Sequence, residues 1–233
     1  MGRRMNRRSV LAVGALAGLV PVLDACGGKG KHPKAVAPTT PAPSTGPGAD
    51  IVMIIRHGEK PEGSGSPYGI TADGDRDAES LTVRGWTRAG ALIGLFDPRT
   101  ADGKPSALRP GLSRPATIFG ADPGSGGSKR PVETVTPLAE ALGLTVDQRF
   151  KKGQEAQLAA GLAHATGPVL ISWEHENIGE IIAHLGPISP NPPASWPGSR
   201  FDMVYVFTRA GNEWAFTQVP QLLLSGDAPT LFG

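Results

Sequence analysis

From residue 50 onward, short apolar runs alternate with stretches of helical period. Residues 51–55, 116–119 and 169–173 are continuous apolar runs bounded by turn formers, the pattern of strands buried on both faces of a parallel sheet. Between them, Thr82 is a good N-cap for a helix that places Val83, Trp86, Ala89, Leu92, Ile93 and Phe96 on one face. Helical patterns also cover residues 129–142, closed by Gly143, then 154–165, and then 177–185, closed by Gly186. Residues 201–208 and 213–219 flank Ala210-Gly211-Asn212, which reads as a hairpin. Strands alternating with helices, and a hairpin at the end, predict a three-layer α/β/α sandwich around a mainly parallel sheet. Three loops rich in Gly, Pro or Asp, at residues 58–80, 97–114 and 186–199, are long enough to serve as binding loops. The first of them should overhang whatever site the first strand carries.

That strand runs straight into Arg56-His57-Gly58-Glu59. In open α/β sheets, ligands bind beyond the carboxyl ends of the strands, which is where Arg56 and His57 would emerge. A guanidinium presents a planar fork of donors to phosphate oxygens, and a neutral imidazole can attack phosphorus. Arg130, in Ser128-Lys129-Arg130-Pro131, falls in the first turn of a helix that follows a strand, where backbone N–H groups already favour an anion. His175, in Trp173-Glu174-His175-Glu176, leaves the sheet in the same sense as His57. Two arginines and two histidines at one sheet edge are a means of holding phosphate.

The first 49 residues are of a different kind. Arg7 and Arg8 precede an apolar run over residues 10–23, shorter than the roughly 20 residues a membrane-spanning helix needs. Arg7-Arg8-Ser9-Val10-Leu11 resembles a twin-arginine export signal, and residues 23–26 resemble a lipoprotein processing box, with Asp24 in place of the small or apolar residue usual there. Cys26 is the only cysteine, so it forms no intramolecular disulfide and is the expected lipid attachment point. The expected organisation is a signal peptide over residues 1–25, a Pro/Ala/Thr-rich tether over 26–49 and a single domain over 50–233. It implies an exported chain held at the outer face of the cell membrane by a lipid on Cys26.

The formal charge of +2 divides along the same boundary. Of 23 basic and 21 acidic residues, seven and one precede Asp50, leaving 16 and 20 in the domain. A mildly acidic domain gives no reason to expect nucleic-acid binding. No His stands four residues after His175, which excludes the zinc-protease helix motif, and no Gly-Lys-Ser/Thr phosphate loop occurs.

Arg56-His57-Gly58, Leu81-Thr82-Val83-Arg84-Gly85 at a helix start, Ser128-Lys129-Arg130 with Glu133-Thr134, and the late His175 occur in an order that resembles the histidine phosphatase, or phosphoglycerate mutase-like, superfamily. The resemblance covers most of the chain from residue 50. It implies a phosphoglycerate mutase-like fold and a phosphomonoesterase that forms a phosphohistidine on His57, with Arg56, Arg130 and His175 binding the phosphoryl group. No metal or organic cofactor is implied. The partners would be a small phosphomonoester or phosphate, together with the membrane reached through Cys26. A general acid must protonate the leaving oxygen. Glu176 occupies the position used by one branch of the superfamily and Glu155 is the nearest match to the other; Glu59 and Glu174 stay open. A phosphate-binding surface lipoprotein of the same fold, with little or no turnover, is the alternative.

Overall fold

The computed structural model describes residues 48–233, so the expectations for the export segment, for Cys26 and for nearly all of the tether lie outside the described residues. The strands are β1 (Ile51–Arg56), β2 (Thr117–Gly120), β3 (Val146–Asp147), β4 (Val169–Trp173), β5 (Ile188–Ser189), β6 (Met203–Ala210) and β7 (Glu213–Pro220), and the helices are α1 (Val83–Phe96), α2 (Arg130–Leu142), α3 (Glu155–Gly161) and α4 (His175–Ala183). They build one seven-stranded sheet in the order β3-β2-β4-β1-β6-β7-β5. β3, β2, β4 and β1 run parallel, and only β6 is antiparallel to its neighbours. The expected three-layer α/β/α sandwich is the architecture found.

Alternation along β1 divides the core. Val52 and Ile54 join Phe119, Leu158, Ile178 and Ile181 under α3 and α4, whereas Met53 and Ile55 join Leu92, Phe96, Val135 and Leu138 under α1 and α2. Side chains of period two on a strand covered on both faces give the continuous apolar run seen in the sequence. An aromatic cluster closes one end of the core, where Phe232 meets Trp196 and Tyr205, and Phe216 meets Tyr205, edge to face.

Three expectations need correction. Val83 is exposed, and the buried face of α1 is rotated to take in Gly85, Arg88 and Leu95, because Arg88 has carboxylate partners waiting beneath it. α4 starts at His175 rather than at residue 177, since Glu174 alone turns the chain from β4 into the helix. The loop at residues 186–199 contains β5, a two-residue edge strand that pairs with β7.

Candidate active site

The β1–β4 ladder brings Arg56 level with Trp173, and the His57 N–H donates to the Trp173 carbonyl at 3.0 Å, one residue beyond the strand. His57 and His175 therefore leave neighbouring parallel strands at the same edge. His57 is 2 % exposed, and its Nδ1 lies 2.7 Å from the Gly58 carbonyl oxygen. A carbonyl oxygen can only accept, so Nδ1 carries the hydrogen and the neutral ring keeps its lone pair on Nε2. Burial pushes the imidazole down to about 3; the Gly58 carbonyl opposes the shift, and the charges of Arg56, Arg130 and Lys60 add to it. At neutral pH the His57 imidazole is uncharged and of fixed tautomer.

The turn after His57 is fastened to both helices of one layer. The Gly58 N–H donates to Thr134 Oγ1 at 2.8 Å, and that hydroxyl donates to the Arg130 carbonyl at 2.7 Å, joining the turn to the start of α2. The Thr82 N–H and hydroxyl both donate to the Glu59 carbonyl, at 3.0 and 3.1 Å, while Thr82 caps α1 by accepting from the Gly85 N–H. Backbones meet so closely here that a Cβ on Gly85 would stand 2.5 Å from the Glu59 carbonyl oxygen. Only glycine fits.

Arg56 is 1 % exposed. Its Nη1 donates to the carbonyls of Gly198 and Arg200, its guanidinium lies 3.8 Å from the centre of the Phe201 ring, and its Nε–H has no partner. Burial brings it down to about 10, so it remains a cation at neutral pH. Arg130, the first residue of α2, donates to Ser128 Oγ at 2.9 Å, to the Ala78 carbonyl and to Glu79 at 3.3 Å, and its Nε–H is likewise buried and unpartnered. Each of these two guanidiniums thus keeps a buried N–H with which it can donate to an anion. His175, half-buried, is shifted down by burial and then by the Arg56 charge.

The four candidate acids stand in different surroundings. Glu59 is gripped by Arg84 at 3.1 Å and by Arg88 at 2.8 and 3.1 Å. Glu155 is buried, with Oε1 accepting from the Trp173 indole at 3.0 Å and from the Gly153 N–H at 3.1 Å. Glu174 pairs with Lys152 at 2.6 Å. Glu176 is exposed, 3.3 Å from the same ammonium, and the Lys152 hydrogen bond holds it below the usual carboxylate range. Of the four, Glu176 and Glu59 act on the Arg56 charge, and Glu176 and Glu174 on that of His175.

Two open clefts flank the cluster. One, of about 380 Å³, is lined by Glu59, Lys60, Arg84 and Phe201, and the other, of about 370 Å³, by the Gly/Ser loop 124–128 with Lys152 and Glu174. Lys60 was not singled out from the sequence, although its charge reaches His57, His175 and Glu176; its position three residues after the histidine was the available signal. Arg88 was missed too, because a cation on the apolar face of a helix is legible only once its partners are in place. Among the described residues, no group of three or more His, Cys, Asp or Glu is arranged to hold a metal ion.

No family model matches the chain, and no curated protein does. Among solved structures it is similar to a protein named mycobacterial hydrolase 2, at 16 % identity and a TM-score of 0.37, over 72 % of this chain and 88 % of the other. It is also similar to the candidate phosphohistidine phosphatase SixA of Agrobacterium tumefaciens, at 16 % identity and a TM-score of 0.39, over 69 % of this chain and 92 % of that one. Likenesses this distant carry no information on substrate or mechanism, which rest on the residues themselves.

Proposed function

We propose that the chain is an exported, lipid-tethered phosphomonoesterase of the histidine phosphatase superfamily, working without a metal ion through a phosphohistidine on His57. The observation that carries this reading is the pair of buried, acceptor-less Nε–H groups of Arg56 and Arg130 beside an imidazole whose free lone pair is on Nε2. Nε2 attacks phosphorus and the P–O bond to the leaving group breaks, with Nδ1–H still donated to the Gly58 carbonyl. Arg56, Arg130 and His175 stabilise the phosphoryl oxygens as charge is redistributed in the transition state. Glu176 gives a proton to the departing oxygen. Water then attacks phosphorus, its proton returns to the carboxylate, the P–N bond breaks, and His57 and inorganic phosphate are released.

The test is hydrolysis of p-nitrophenyl phosphate by the full chain, in the presence of a chelator, with His57→Ala as control. Chelator-resistant turnover that disappears in the variant is the expected result. Turnover that survives His57→Ala would sink the phosphohistidine. Glu176→Gln should slow alkyl phosphates about 10²-fold or more, and aryl phosphates with good leaving groups much less; equal losses on both point to Glu155.

A second reading has an observation of its own. The Lys152 ion pair keeps the Glu176 carboxylate ionised, so the leaving oxygen lacks a protonated donor at neutral pH. A phosphate-binding surface lipoprotein follows from that, and it predicts thermal stabilisation by phosphate without hydrolysis.

A further inference from the structure

The two guanidiniums of the cluster are held by different kinds of acceptor. Among the described residues Arg56 donates only to backbone carbonyls, whereas Arg130 also meets a carboxylate, its Nη2 lying 3.3 Å from Glu79 Oε2. The segment that carries Glu79 is fastened to the start of α2 on both sides. Asp77 takes the Lys129 ammonium at 2.6 Å, and the Lys129 N–H donates to the Glu79 carbonyl at 3.0 Å. Glu133 then accepts from the Ser80 hydroxyl at 2.7 Å and from the Leu81 N–H at 2.8 Å. The backbone of Glu79 is therefore fixed, while its side chain, 44 % exposed, has Arg130 as its one polar contact among the described residues. The Arg130 side chain is only 12 % exposed.

We propose that Glu79 sets the affinity of the site: it is an internal anion that competes with phosphoryl oxygens for Arg130 and so weakens the ester and inorganic phosphate alike. Two effects act in the same direction. The carboxylate takes up a donor of Nη2, and its charge repels a phosphate dianion a few ångströms away. A long, partly solvated pair belongs to the weak class of ion pairs, so Glu79 yields to phosphate at a cost and does not block it. That cost falls on substrate, transition state and product together. It raises KM and relieves product inhibition while leaving kcat nearly as it was.

The inference rests on the reading of Arg130 as a phosphate clamp, and kinetics and binding test it separately. In the full chain, Glu79→Gln keeps the size of the side chain and removes its charge. The KM for p-nitrophenyl phosphate and the inhibition constant of inorganic phosphate should fall together, about threefold or more at low ionic strength, and the gain should shrink at high salt. A loosened loop would weaken binding, so tighter binding is a readout that a merely structural role does not produce. Constants that stay level or rise in Glu79→Gln overturn the proposal. A fall in only one of the two, or a gain that salt leaves intact, overturns it as well. If p-nitrophenyl phosphate is not hydrolysed by the wild type, the catalytic reading fails on its own, and calorimetric titration with inorganic phosphate decides in its place. Tighter binding by Glu79→Gln than by the wild type supports the competition; equal or weaker affinity, or no binding by either protein, refutes it.

Discussion

Burial holds the His57 imidazole at about 3, against 6.5 for an exposed histidine, and this couples folding to acid. Between those two values the unfolded chain binds a proton that the folded chain does not. Stability from this group is complete above about pH 6.5 and is lost as pH falls toward 3. Denaturant titrations from pH 7 to 4 should therefore show a decline that His57→Asn flattens; equal slopes in both proteins would mean that His57 is solvated in the folded chain. At the opposite side of the cluster, Lys152 depresses Glu176. Removing the ammonium with Lys152→Ala should let the carboxyl titrate at higher pH, so the alkaline limb of kcat/KM moves upward if Glu176 is the proton donor. Glu155, already occupied by the Trp173 indole, predicts no such movement.

At the scale of elements, the histidine turn is held by what crosses from α1 to the carboxyl-terminal segment. Arg88 is 2 % exposed and uses Nε and both terminal nitrogens: on Glu59 at 2.8 and 3.1 Å, on Asp227 at 2.7 and 3.1 Å, and on Gln221 at 2.9 Å. Burial works against its charge, but these carboxylates outweigh it and raise its pKa. Arg88→Met would leave two carboxylates without their buried partner, a loss of about 3–5 kcal/mol, readable in urea titrations. Arg88→Lys should recover only part of this, because an ammonium cannot reproduce two bidentate contacts; a fully stable lysine variant would show that the fork geometry is dispensable. This network also marks the limit of what the sequence disclosed. β1 and β4 were legible because strands buried on both faces read as apolar runs, and Arg56, His57 and His175 followed from their ends. β3 and β5, two residues each, are too short to carry a period. The partners of Arg88 and the Gly198–Phe201 contacts on Arg56 depend on which distant loop folds back, and no local pattern encodes that.

For the whole molecule, the described residues carry a core of their own, and the division of charge falls at the same boundary. Residues 48–233 bury both faces of the sheet, and the Ala49 N–H donates to the Leu162 carbonyl at 3.0 Å. The amino-terminal arginines and Cys26 would then govern location and have no part in catalysis. Cys26→Ser should release the protein from the membrane fraction while p-nitrophenyl phosphate hydrolysis per molecule stays at the wild-type level. A single acyl chain anchors only marginally, so stable membrane retention of the wild type would require the multiply acylated cysteine of a processed lipoprotein. Mass spectrometry of the mature amino terminus checks this independently, because processing before Cys26 leaves a lipid-modified cysteine as the first residue. Continued membrane association of Cys26→Ser, with an unprocessed terminus, would assign the anchoring to the apolar run at residues 10–23 and leave the catalytic reading of the domain untouched.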